Sequence, residues 1–331
     1  MNLNLNNLEN VINQAKALGV SERSLILMEE QMRAGLDKIL LTDVYPAKVG
    51  QVEASIFIQK SNRSDHFYLN KFQVSHNRGK ILEEGHKYFV TTPEKDGKPQ
   101  FKTVDNTLQA IELFKAQKGS SVLSSGRKFD SSALLASMEN GKVNYVANDF
   151  QRTFNNKPPT QTIWVDKGKG FSIPQAVNMI QGKYVFRDDL LNSLKGEVYA
   201  AWTKLDFDSP KSRDNYAILA YNVPQYGFEV SKELEKYQIK ELENPQKYDA
   251  LLTALRNGAS PVVTVLDSDG KEAKMIIETE VRFQKINFFD LDGGIQKREQ
   301  FLKDQSASKD LSVGKDKGKG KEVETGQALG R

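Results

Sequence analysis

The chain of 331 residues contains no cysteine. Disulfides, thiol nucleophiles, iron–sulfur clusters and thiolate zinc sites are excluded together. The absence fits a reducing compartment, and a cytoplasmic protein is expected. No apolar run reaches the roughly 18 residues that a membrane-spanning helix needs, so no membrane partner is expected. The opening stretch MNLNLNNLENVINQAKALGV lacks the basic region and unbroken apolar core of a signal peptide. Phosphate loops of the G-x-x-x-x-G-K-[ST] form, G-x-G-x-x-G turns and a G-x-S-x-G elbow are also missing, so no nucleotide cofactor or serine-hydrolase reading is supported.

Histidine is scarce as well. The three residues His66, His76 and His86 fall within one region, but their spacing matches no common ligand motif, and ordinary surface or strand histidines are the expectation. LDSDGKE and FDLDGG resemble fragments of a calcium loop without its full set of spaced carboxylates, and both read as turns. Asp206 and Asp208 project to one side of a strand, as paired acids would, but they sit at its end beside Ser209 and Pro210 and are expected to be solvated. No metal and no cofactor are expected.

What is present is an ordinary globular composition, 38% hydrophobic and 27% charged, with a net charge of +4. A small overall excess of this kind permits nucleic-acid binding without arguing for it, since binding needs a concentrated basic face. Helical periodicity marks residues 7–19 and 21–35. Strand-forming aromatic and β-branched runs follow at 52–60, 65–75 and 85–92. TVDNTLQAIELFKAQKG (103–119) reads as an amphipathic helix. Polar joints follow at 120–132 and 150–161. Beyond them a strand is expected at 163–168, a capped helix within SIPQAVNMIQG, strands at 195–208 and 215–223, and helices at 231–242 and 244–258. A hairpin centred on Asp269-Gly270 comes next, then a strand at 281–290. The expectation is an α+β protein of small antiparallel sheets with short helices in at least two units. They are an N-terminal unit (1–119), a joint with a short helix and strand (120–161), a C-terminal unit (162–300) and a disordered tail (301–331), the last being lysine- and glycine-rich and poor in large apolar residues.

One phrase occurs twice: LLASMENGKVNYV from Leu134 and LLTALRNGASPVV from Leu251. A leucine pair, a helix-compatible stretch, Asn-Gly and then valines read in both copies as a helix that stops at glycine before a strand begins. The phrase is therefore expected to mark small α+β units and not an active site.

Two stretches interleave aromatic and basic residues, HFYLNKF (66–72) and RFQKINFF (282–289). A sheet face built this way could stack bases while its cations meet phosphates. The candidates are His66, Tyr68, Lys71, Arg282, Lys285 and Phe288. The plainer reading is a half-buried strand whose wet face is basic, because alternation alone produces the pattern.

KSNRSDHFYLNKF, FSIPQAVNMIQGKYVFRD, EVYAAWTKLDF, EKYQIKELENPQKYDALLTALRNG and VRFQKINFFDLDG, in that order, resemble phrases of an uncharacterised bacterial family with a domain of unknown function, often carried near conjugative and other mobile elements. The resemblance spans most of residues 5–300 and is weakest over 117–160. It implies a genomic setting and no activity. The functional expectation is a non-catalytic interaction or accessory protein with an unknown protein partner. The alternatives are a nucleic-acid-binding accessory, for which Lys71, Arg282 and Lys285 would share a basic face, and a hydrolase that uses carboxylates alone.

Overall fold

The computed structural model describes residues 5–95, 98–165, 170–192, 196–223, 225–266 and 270–303, and contacts divide the chain into two units after Ile180. In chain order the first unit runs α1 (Leu5–Ala17), α2 (Glu22–Arg33), β1 (Lys38–Pro46), β2 (Gln51–Lys60), β3 (Phe67–Asn77), β4 (Lys87–Lys95), β5 (Lys98–Val104), α3 (Thr107–Lys115), β6 (Ser121–Gly126), β7 (Ala133–Glu139), β8 (Lys142–Val146), α4 (Gln151–Asn155), β9 (Thr160–Trp164) and α5 (Ile173–Ile180). The second unit runs β10 (Val185–Asn192), β11 (Glu197–Asp206), β12 (Ala217–Val223), α6 (Val230–Leu234), α7 (Pro245–Arg256), β13 (Val262–Leu266), β14 (Glu272–Glu280), β15 (Lys285–Phe289) and β16 (Ile295–Gln296). The expected α+β class of small antiparallel sheets holds in both units.

The first unit contains two sheets, ordered β1-β2-β3-β9 and β5-β4-β6-β7-β8. Helices α1, α2 and α5 cover one face of the first sheet. Their apolar stripes supply Leu8, Val11, Ala15, Met28, Met32 and Ile173, and the sheet answers with Ile39, Ile56, Ile58, Phe72 and Val74, all buried. Asn7 of α1 ties the helix to the edge of β3 beyond the end of β9, accepting from Phe67 N–H (2.7 Å) and donating to Phe67 C=O (3.1 Å). The second sheet packs on α3 and α4 around Tyr88, Val90, Phe114, Leu123, Leu135 and Phe150. In the second unit, Trp202, Leu234, Tyr237, Leu255, Val265, Ile277 and Phe288 form the core beneath sheets β10-β11-β12 and β13-β14-β15-β16.

Several expectations are corrected. The stretch 120–161 is not a joint: β6, β7 and β8 complete the second sheet, and β9 closes the first by pairing with β3. The helix α5 belongs to the first unit, so the division falls after Ile180 and not near 161. LLASM is strand β7 and not a helix. Asn140 and Gly141 both hold positive φ (50° and 73°) between Glu139 and Lys142, which is the two-residue hairpin turn that follows strand twist. Only the second copy ends a helix at glycine: Gly258 has φ 77°, and Ala259 N–H closes back on Ala254 C=O at 2.9 Å.

The single helix expected at 231–242 breaks after α6, because Tyr237 and Ile239 are drawn into the core and bridge to Leu302 and Val265. The strand expected at 281–290 begins only at Lys285, after a 3-10 turn over Val281–Phe283. Phe301 and Leu302 are buried in the second unit's core, so that unit extends past 300. The remainder of the expected tail, from 304, lies outside the described residues, as do residues 267–269 of the expected hairpin turn.

Candidate functional site

The face of the first sheet opposite α1, α2 and α5 is where the HFYLNKF stretch puts its polar and aromatic residues. Strict alternation along β3 would send Lys71 to the core side with Phe67 and Leu69. A bulge prevents this. Ile58 pairs with Leu69 but Phe57 pairs with Lys71, so Asn70 and Lys71 together oppose Phe57. The extra residue resets the alternation: Tyr68, Asn70, Lys71 and Gln73 face outward, while Phe67, Leu69, Phe72 and Val74 stay buried.

Directly paired residues in antiparallel strands share a face. The register therefore sets Leu40, Phe57, Lys71 and Trp164 in one row across all four strands. Lys38, Gln59 and Tyr68 form the row beside it. These rows are open: Trp164 is 54% exposed, Tyr68 45% and Leu40 40%. The Lys71 ammonium lies 5.1 Å from the Phe57 ring centre and 5.3 Å from that of Trp164, a cation held between two π-faces. The ring of His66 sits 6.4 Å from that of Tyr68. Among the described residues no carboxylate is ion-paired to Lys71.

Toward its other end the same face closes over β2, β3 and β9, while Val44 of the edge strand β1 stays 47% exposed. The next rows are Thr42, Ser55, Gln73 and Thr162, then Val44, Glu53, Ser75 and Thr160. Here the N-terminus of α3 lies over the sheet. Asn106, the cap of α3, donates to Ser55 Oγ (3.1 Å). Thr107 N–H donates to Glu53 Oε2 (2.9 Å), the Thr107 hydroxyl donates to Glu53 Oε1, and Gln51 Nε2 donates to the same carboxylate (2.9 Å). Tyr88 O–H in turn reaches Thr107 Oγ1 (2.9 Å). Glu53 is 1% exposed, and burial pushes its carboxyl above the ordinary range in spite of these donors.

The second candidate stretch is different. Phe288 lies in the second unit's core, edge-on to Tyr237 at 4.9 Å, and offers no face to a ligand. The exposed ring is Phe283, with Arg282 Cζ 5.8 Å and Lys285 Nζ 5.4 Å from its centre. Lys71 belongs to the first unit and Arg282 and Lys285 to the second, so there are two clusters, each with its own aromatic. Sequence reasoning missed Phe57, Trp164 and Phe283. For Trp164 a signal existed. In TQTIWV it shares the parity of Thr160 and Thr162, a tryptophan on the polar side of a strand. The bulge that turns Lys71 outward left no such trace.

The histidines do not converge. His76 is buried, its Nε2 2.9 Å from Val49 C=O, and burial lowers its pKa. His86 faces Glu83 at 3.5 Å. Among the described residues no group of three or more His, Asp or Glu is placed to hold a metal. The buried acids each hold local structure: Asp43 accepts from Ser21 and Ser24 at the start of α2, Glu53 from the start of α3, and Glu233 from Tyr237 and Lys236. Asp206 accepts from Asp208 N–H (3.0 Å) and the Ser209 hydroxyl, closing the strand end, and Ser209 holds its pKa below the usual range. Asp290 accepts from Gly294 N–H (2.7 Å), so FDLDGG is a turn. Among the described residues no helix is long and apolar enough to cross a membrane. No protein-family model, no curated protein and no solved structure matches the chain.

Proposed function

We propose that the protein is a non-catalytic accessory protein that binds single-stranded nucleic acid on the open end of the first sheet. One observation carries this reading: Tyr68, Phe57 and Trp164 stand on one solvent-facing surface with Lys71 between two of them. Every base presents a π-face, and stacking on an exposed aromatic contributes about 1–3 kcal/mol per base without regard to sequence. A phosphate is a stronger partner for the Lys71 ammonium than either ring, so an arriving strand draws the lysine toward its backbone. A duplex hides its base faces from stacking on these rings; unpaired strands are the matching ligand. An accessory role at a mobile element, acting in the cytoplasm, is the setting that the family resemblance suggests for such a protein.

The chain has two tryptophans, and Trp202 is 2% exposed in the second unit's core. Both emit, but only Trp164 is open to a stacking ligand, so a ligand-induced quench reports Trp164. Titration with an oligothymidylate of about ten nucleotides, a length within the range of one binding fold, is expected to quench it. The quench should weaken steeply between low and moderate salt and vanish in Trp164→Phe. A silent titration at low salt would leave this surface to a protein partner and defeat the nucleic-acid reading.

A further inference from the structure

The 3-10 turn between β14 and β15 holds the second aromatic–cation cluster, and its construction is unusual for a surface connection. Phe283 is 65% exposed, more than Trp164 or Tyr68. Its neighbour Gln284 adopts the left-handed conformation at φ 50°, which a residue with a Cβ occupies only when its surroundings impose it. Here they do. Val281 is anchored in the core and its carbonyl accepts from Gln284 N–H at 2.9 Å. Tyr226 O–H donates to Arg282 C=O at 2.6 Å, and Gln284 Nε2 donates to Tyr226 C=O at 2.7 Å. Tyr226 is itself packed edge-on against Tyr221 at 4.9 Å.

A strained turn fastened at three points holds a large apolar ring in water, and the ring contributes nothing to the core. Arg282 and Lys285 flank that ring, and among the described residues neither forms an ion pair. The nearest acid across the β14–β15 pairing is Glu280, opposite Lys285. Its carboxylate accepts from Tyr184 O–H at 2.9 Å.

We infer that the Phe283 turn is a second stacking site for single-stranded nucleic acid, with a base on Phe283 and the flanking phosphates on Arg282 and Lys285. An acidic peptide would use the two cations and leave the ring in water; a nucleotide strand uses all three groups. The inference shares the ligand class proposed for the first sheet and none of its residues.

The test moves the fluorescent reporter. In the full-length chain, Trp164→Phe silences the first surface and Phe283→Trp places an indole on the turn. Phe283 is outside the core, so the thermal transition and circular dichroism of this variant should match the wild type. Oligothymidylate is expected to quench the introduced indole, more strongly at low salt. Adding Arg282→Ala and Lys285→Ala should weaken that quench about tenfold or more. Polyglutamate is expected to leave the indole unquenched. Quenching of wild-type Trp164 with a silent turn variant sinks the second site alone, and so does a turn that responds to polyglutamate but not to oligothymidylate. A responsive turn with a silent Trp164 sinks the first-sheet reading alone.

Discussion

One face of the first sheet has two ends that contradict each other. At one end β2, β3 and β9 bury Glu53, Ser55, Ser75 and Thr160 beneath the start of α3, while Val44 on the edge strand β1 stays exposed. At the other the four strands leave a tryptophan, a tyrosine and a leucine in water. Ordinary partitioning would reverse the arrangement. The buried end is explained by chemistry internal to the fold: every hydrogen-bonding position of Glu53 is answered, and the carboxylate sits where the start of a helix favours negative charge. The open end has no internal explanation. Its rings stabilise nothing by being exposed, and Lys71 satisfies them only in part. A polar group that is buried and fully answered belongs to the structure. On the proposed function, an exposed aromatic group beside a cation is a place for a ligand.

The sharpest way to break this contrast is to remove Glu53. Glu53→Ala strands Thr107 N–H and Gln51 Nε2 in a dry interface and empties the carboxylate's volume. Orphaned buried donors cost roughly 1–3 kcal/mol each, so a loss of about 3 kcal/mol or more is expected, concentrated in the first unit. Chemical denaturation of the Trp164→Phe and Trp202→Phe forms, each with one tryptophan left, reads the two units separately. A loss below about 1 kcal/mol would show that the roofed end is not structural.

The same carboxyl gives the buried end a pH signature. Its folded-state pKa is raised above the ordinary 4.5, first by burial. The folded chain therefore keeps a proton on Glu53 at pH values where the unfolded chain has released it. Stability from this group is fully present below about pH 4.5 and is lost as pH rises through the folded pKa. Glu53→Gln cannot titrate. The melting temperature of the wild type minus that of Glu53→Gln should fall as pH rises from about 4.5, then level. A constant difference from pH 4 to 8 would refute the linkage.

The open end should respond in the opposite sense. Trp164→Ala and Tyr68→Ala remove rings that are about half exposed, so melting should shift little. Affinity for an oligothymidylate, read by anisotropy of a labelled strand, should drop about tenfold or more for each. Glu53→Gln, assayed at a temperature where it is folded, should bind as the wild type does. If the ring variants melt early and bind normally, the open end is core after all.

How much of this was legible depends on which force decides each element. The amphipathic stripes of α1 and α2 were plain, because periodicity and burial agree: Leu8, Val11 and Ala15 are apolar and buried. The doubled phrase was not. LLASMENG and LLTALRNG carry the same spacing of leucine pair and Asn-Gly, yet one is a strand entering a hairpin and the other a helix ending at its cap. Neighbouring strands decide it: β7 is claimed by β6 on one side and β8 on the other, whereas α7 buries Leu251 and Leu255 on one helical face. Propensity is a weak prior where such pairing competes. The candidate site divides in the same way. Tyr68 and Lys71 were found from composition, but that Lys71 shares a face with Tyr68 follows from the bulge at Asn70, and that Trp164 joins them follows from a pairing some ninety residues distant in sequence. Phe288 was misjudged because it was taken from the interleaved composition alone: alternation within β15 sets it inward with Ile286, on the side opposite Lys285.

The smallest expected effect is also the most specific to the bulge. Lys71→Ala leaves both rings in place, so the amplitude of Trp164 quenching at saturation should persist. What changes is the salt dependence. Each phosphate contact on a single strand contributes about 0.7 to the slope of log affinity against log salt, and losing one should flatten the slope by about that amount. Lys71→Arg should restore it, since the charge returns to the same bulged position. Deleting Asn70 instead removes the extra residue and restores plain alternation, so that Lys71 follows inward Leu69 and still faces outward opposite Phe57. That deletion should leave the slope near the wild-type value, whereas Lys71→Ala should flatten it. An unchanged slope in Lys71→Ala would mean that the cation between Phe57 and Trp164 serves the rings alone and not a ligand.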